Sequence, residues 1–326
     1  MMSKGLIAVL VAVVVAPLVR AEDSRTAVSG TFVAVGYGGR RMSSTDGIHW
    51  ENVQQWEEKG GDNSNNLISI AYGNGLFVAV GGGGWSRDSQ AGHILVSSDG
   101  KDWTEVLKLP NRISPVMFGN GRFVAGGPDK TLWWSADGKK WQPGAKVDFK
   151  GWAFWFRSGA YGNGTFVFRG NAEKDQKVQW CFTSHDGTSV TPLQVDLPEG
   201  ATAPCFGAGK FLMIAKGGIC LTSADGEKWD RKPIAGGEEL QYAVWTGKLF
   251  YAAGKKGAFT SADGLVWTKL ADRVPARVLY GSDSLFIGTS WPGQMWHSSD
   301  GVKWEKDPAL PPNGINAIAF APSPAK

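Results

Sequence analysis

Three cysteines in 326 residues, Cys181, Cys205 and Cys220, are too few and of the wrong parity for a disulfide framework. Buried free thiols are the expectation, with a single bridge as the alternative. Histidine is nearly as scarce, at four. His49 and His185 stand in Asp-Gly turns and His297 in a strand pattern, and no His/Asp/Glu spacing matches a metal site. We therefore expect no metal and no cofactor. The Gly81–Gly84 run follows a strand pattern but opens no helix, so it is no phosphate cradle. Charge of one sign is missing too. The 34 basic and 30 acidic residues leave +4, and Lys4 and Arg20 supply two of those charges. That balance gives no argument for a nucleic-acid partner.

Long apolar runs are absent but for one, Gly5–Val19. With Lys4 before it and Val19-Arg20-Ala21 after it, this run reads as a secretory signal peptide cleaved near Glu22. It is shorter than the ~20 residues a membrane span needs; an uncleaved anchor is the alternative. Residues 1–21 are thus assigned to targeting. Residues 22–326 are expected to form one secreted or periplasmic domain, a monomer without stable membrane insertion. No helix-period stretch of useful length follows residue 21, which excludes an α/β architecture.

What the chain has in plenty is repetition. A Ser, any residue, Asp-Gly, two residues and Trp recur at Ser44–Trp50, Ser97–Trp103, Ser135–Trp141, Ser223–Trp229, Ser261–Trp267 and Ser298–Trp304, with a seventh copy ending in Val190. The aspartates at 46, 99, 137, 186, 225, 263 and 300 are spaced by 53, 38, 49, 39, 38 and 37 residues. A second phrase precedes the first: Tyr72-Gly-Asn-Gly, Phe118-Gly-Asn-Gly, Tyr161-Gly-Asn-Gly and Phe206-Gly-Ala-Gly, each followed by an apolar run. Both phrases are tight hairpin signals, because Gly, Asn and Asp tolerate positive φ. A unit therefore reads as four short antiparallel strands; in the second these are Leu67–Tyr72, Phe77–Val80, His93–Ser97 and Trp103–Leu107. Four strands every 37–39 residues predict a propeller blade, and seven units predict an all-β, seven-bladed β-propeller. Ile315–Ala321 matches a first strand and Ser29–Gly36 a second. The C-terminal strand is thus expected to complete the blade that the N-terminus begins, closing the ring.

The Asp-Gly phrase resembles the Asp-box (BNR-type) repeat of sialidase-like propellers, Ser-x-Asp-x-Gly-x-Thr-Trp, over all seven units. It departs in one consistent way, since Asp and Gly are adjacent here. The resemblance implies the propeller fold and spans glycoside hydrolases, photosystem assembly factors and exported bacterial proteins. For sialidases it implies an arginine triad, a Tyr–Glu nucleophile pair and an Asp acid/base, none of which maps residue by residue. Arg112-Ile-Ser-Pro115 is the nearest approach to the Arg-Ile-Pro phrase of those enzymes, and it lies in a later blade.

Both hairpin types fall on one face of a propeller, so the long loops, Val53–Asn66, Gly81–Gly92, Gln142–Phe156 and Arg169–Lys177, share the other. Breaks in a repeat are where such rings place binding. These loops bring Trp85, Arg87, Asp88 and His93, then Trp152, Trp155 and Arg157; shorter ones add Tyr37, Arg40, Arg41, Asp129 and Trp291. Aromatics beside charged groups suit a glycan or a protein ligand, although tryptophans also cap blade cores. Aligned first strands place Arg112, Arg157 and Arg277 at the loop-side end, on blades three, four and six, where convergence would suit a carboxylate. The expected function is an exported binding or assembly scaffold. A glycoside-active enzyme using the same face is the alternative.

Overall fold

The computed structural model describes residues 29–56, 65–83, 91–127, 130–147, 154–172, 179–193, 198 and 200–323. These form seven four-stranded antiparallel sheets, six of them running in chain order from the innermost strand outward. In the second blade the strands are Asn66–Gly73, Leu76–Gly82, Gly92–Ser97 and Thr104–Leu109, within one or two residues of the expected ends, with the outer strand starting just after Trp103 and not on it. Among the described residues no helix is long and apolar enough to cross a membrane.

The first blade is composite. Its innermost strand is Ile315–Pro322, paired antiparallel with Gly30–Gly36 in the register Thr31↔Ala321 and Val35↔Ala317. The two chain ends so close the ring, as the repeat analysis requires. The seam is filled by Phe32, Ala34 and Met42 from blade one against Leu285, Ile287 and Met295 from blade seven. Equivalent apolar clusters lie between the other neighbouring blades, so each sheet is buried on both sides.

Every Asp-Gly turn is wired alike. The Ser hydroxyl donates to Asp Oδ1, and that oxygen accepts the backbone N–H groups two and three residues on, as at Asp99 from Lys101 (2.8 Å) and Asp102 (2.9 Å). The Gly sits at positive φ because its α-carbon lies against the preceding blade. At Gly226 (φ 81°) a Cβ would come within 2.3 Å of Val167 Cγ2. Five of the seven turns add an indole N–H from the following Trp to the turn Gly carbonyl.

The Gly-Asn-Gly hairpins do more than reverse the chain. Asn120 Nδ2 donates to the carbonyls of Gly164 (3.2 Å) and His185 (3.0 Å), the first-hairpin and Asp-Gly turns of the next blade. Asn74 and Asn163 make the same pair of bonds to their neighbours. This clamp also shows that both hairpin types lie on one face of the ring.

At the opposite, loop-side end the inner strands share an irregularity. Ladders skip a residue at Ile68, Arg157, Gln241, Leu279 and Asn316. A bulge frees one residue from pairing and re-aims its side chain; in blade four that residue is Arg157.

Candidate functional site

The loop-side mouth of the channel gathers four arginines. Arg112 precedes the inner strand Val116–Gly119 of blade three and is steadied by an Nε–H bond to the Gly83 carbonyl (3.1 Å). Arg157 is the exposed bulge residue of blade four. Arg169 stands on that blade's second strand, directly opposite Ser158. Arg277 begins the inner strand Arg277–Gly281 and is exposed. The sequence alignment put Arg277 on blade six. It belongs to blade seven, because each inner strand opens the blade whose Asp-Gly turn follows it, here the turn of Asp300.

Arg112 and Arg169 each feel the charge of Arg157. Burial lowers the pKa of Arg112, and the charge of Arg157 lowers it further while Tyr37 opposes. Arg169 is lowered first by burial and then by Arg157. Arg277, though exposed to solvent, is lowered by desolvation among the protein atoms around it, with Tyr242 and Tyr37 pulling the other way. Arg157 thus links Arg112 to Arg169, and Tyr37 lies within electrostatic reach of both Arg112 and Arg277. The cluster spans blades three and four on one side and seven and one on the other. Among the described residues no carboxylate forms an ion pair with Arg112, Arg157 or Arg277. Guanidinium groups suit an anionic ligand, because their planar forks can take carboxylate oxygens in pairs.

Two aromatics border it. Tyr37 opens the short turn Tyr37–Gly39, and Trp291, 66 % exposed, meets it edge-on with ring centroids 5.4 Å apart. Tyr242 donates its hydroxyl to the Ala276 carbonyl (2.6 Å), and burial pushes its pKa up to about 12, so it remains a neutral wall.

Other candidates are placed elsewhere. Arg40 is fully buried; it donates to the Asn313 carbonyl (3.4 Å) and Gln55 Oε1 (3.1 Å). Asn313 in turn donates to the Tyr37 carbonyl (2.8 Å), so Arg40 lies behind the mouth and supports the turn that carries Tyr37. His93 is buried between Trp56 and Glu105, with Nδ1 bonded to Glu105 and its ring 4.7 Å from Trp56. Arg41 lies 5.5 Å over the same indole. Trp85, Arg87, Asp88, Asp129 and Trp152 lie outside the described residues. Trp155 has its place on the strand Phe154–Gly162, and its side chain lies outside what is described. Arg169 and Tyr242 escaped the sequence reading. Counting the ladder back from the Gly162–Thr165 hairpin puts Arg169 beside Arg157, a signal that a single-strand alignment ignores.

The three thiols are free, and burial pushes each up to about 12, which leaves them poor nucleophiles. Among the described residues no cluster of three or more metal-ligating side chains occurs.

No protein-family model matches the sequence, and no curated protein matches it. Solved structures do. YCF48 bound to D1 peptide aligns with a TM-score of 0.59 at 18 % identity, covering 87 % of this chain and 94 % of that one. YCF48 from Cyanidioschyzon merolae gives 0.55 at 16 %, covering 84 % and 90 %. Apo AztD from Citrobacter koseri gives 0.52 at 10 %, covering 90 % and 97 %. At such identities the likeness is one of fold: the chain is a seven-bladed β-propeller.

Proposed function

We propose that this protein is an exported scaffold of the Asp-box type that binds a carboxylate-bearing segment of another protein at its loop-side mouth. The observation that carries the reading is the closeness of Arg157 to both Arg112 and Arg169, with Tyr37 within electrostatic reach of Arg112 and of Arg277 across the mouth. A rigid, closed ring holds these groups apart against their repulsion, so the site is organised before a ligand arrives. A protein partner is favoured because a structurally similar propeller, YCF48, is known bound to a peptide. Export rests on the apolar run Gly5–Val19 and the Val19-Arg20-Ala21 sequence after it.

The test is a binding screen of acidic peptides, their amidated or neutral counterparts and acidic oligosaccharides. The wild-type protein should retain acidic peptides, more weakly as salt rises, and an Arg112→Gln/Arg157→Gln/Arg277→Gln variant should lose them. Retention of oligosaccharides alone would transfer the site to a glycan. Equal retention by the variant would remove the site from the mouth.

A further inference from the structure

We infer, on the acidic-segment reading of the mouth, that Trp291 is its specificity-determining residue and selects a segment with an aromatic side chain beside its carboxylate. Trp291 lies in the turn between the second strand Phe286–Ser290 and the third strand Gln294–Ser298 of blade seven, on the loop side. Its ring is 66 % exposed, so little of it serves the core. The fold does not ask for an aromatic there. The same turn reads Lys216-Gly217-Gly218 in blade five and Lys255-Lys256 in blade six. Blades seven and one instead set Trp291 and Tyr37 side by side, with ring centroids 5.4 Å apart at 75°. Tyr37 lies within electrostatic reach of Arg112 and Arg277. Exposed aromatics next to arginines are the composition that protein-binding sites concentrate at their centres.

The indole is also held in place before a ligand arrives. Gly314 lies beneath both rings, and a Cβ there would come within 2.5 Å of Tyr37 Cδ2 and 2.9 Å of Trp291 Cζ3. The Tyr37 N–H donates to the Gly314 carbonyl (2.9 Å), and the Gly293 N–H closes the Trp291 turn on the Ser290 carbonyl (2.8 Å). Gly293 in turn lies against the buried Asn313, whose carbonyl accepts from Arg40. An exposed ring fixed in this way loses little freedom when a ligand covers it. A segment whose carboxylate meets the arginines brings its neighbouring side chain to this wall. There an aromatic ring gains a stacked or edge-on contact that a methyl group does not.

Calorimetric titration with two blocked peptides tests this: acetyl-Gly-Asp-Glu-Phe-Asp-Gly-amide, and the same peptide with Ala in place of Phe. The wild type should bind the Phe peptide about tenfold more tightly. Trp291→Ala should abolish that preference, with the Ala peptide's affinity and the thermal midpoint near their wild-type values. Trp291→Phe should keep most of the preference. Arg112→Gln/Arg157→Gln should weaken both peptides alike, which separates the indole from the anion site. Equal affinity of the wild type for the two peptides, or a preference that survives in Trp291→Ala, overturns the inference and leaves the acidic-segment reading standing. Failure of the wild type to bind either peptide overturns both. Binding of an oligogalacturonate that falls in Trp291→Ala, while the two peptides bind alike, would give the indole to a sugar and overturn the inference as well.

Discussion

The turn aspartates show most directly how one residue type maintains the ring. Backbone N–H bonds from Asp102 and Lys101 hold Asp99 below the usual carboxylate range, and those from Val266 and Leu265 do the same at Asp263. All seven are shifted in this direction. Because the folded pKa lies below the unfolded one, the stability they contribute is complete above about pH 4 and is lost as pH falls through the folded values. Thermal midpoints measured from neutral pH downward should therefore drop below about pH 4. Asp263→Asn, less stable at neutral pH, should show a smaller acid-induced drop. Gly226→Val should cost about 1–3 kcal/mol, since it combines strain at φ 81° with a clash on Val167; chemical denaturation reads this directly.

Single elements were legible in uneven degree. Blade two's strands lay where alternation and hairpin residues put them, within one or two positions, because each strand alternates between two buried faces bounded by Gly-rich turns. The clamp was not legible. Asn120 reads as a hairpin residue, and its φ of 48° explains its presence without any partner. Its Nδ2 donates to residues 44 and 65 positions away and its Oδ1 accepts from the Tyr161 hydroxyl (2.6 Å), contacts that no local rule exposes. Blade five supplies the comparison, with Ala208 at the same φ of 48° and no side-chain amide to donate. Asn120→Gly keeps the turn and removes the bonds, so it should lower stability by about 1–3 kcal/mol. Asn120→Ala should lower it further through strain at positive φ. Equal stability of Asn120→Gly and wild type would reduce the clamp to a surface contact.

At the scale of the whole molecule, seven nearly equal units left closure as the main question, and matching Ile315–Ala321 to a first strand answered it. The mouth was harder to read. Arg112, Arg157 and Arg277 could be placed at the loop-side end because inner strands align, and Arg40 was grouped with the loop residues because a loop arginine and a buried one look alike in sequence. Only the packing around Asn313 separates them. Removing residues 314–326 exposes the paired edge of Gly30–Gly36 and strips the seam between blades seven and one. The whole ring should lose its cooperative melt; an unchanged midpoint would deny that this strand closes it.

The central claim is that a closed ring presents its arginine mouth, and not its Asp-Gly face, to a ligand. Calorimetric titration of the tightest acidic peptide from the binding screen tests it, run against Arg112→Gln, Arg157→Gln, Arg277→Gln and Asp263→Ala. Each mouth variant should weaken binding by about 1–3 kcal/mol, as expected for truncating a charged anchor, with its melting midpoint near that of the wild type. Asp263→Ala should lower the midpoint and bind as tightly as the wild type. Undiminished binding by all three arginine variants, or a loss confined to Asp263→Ala, would contradict the account and place the ligand on the other face.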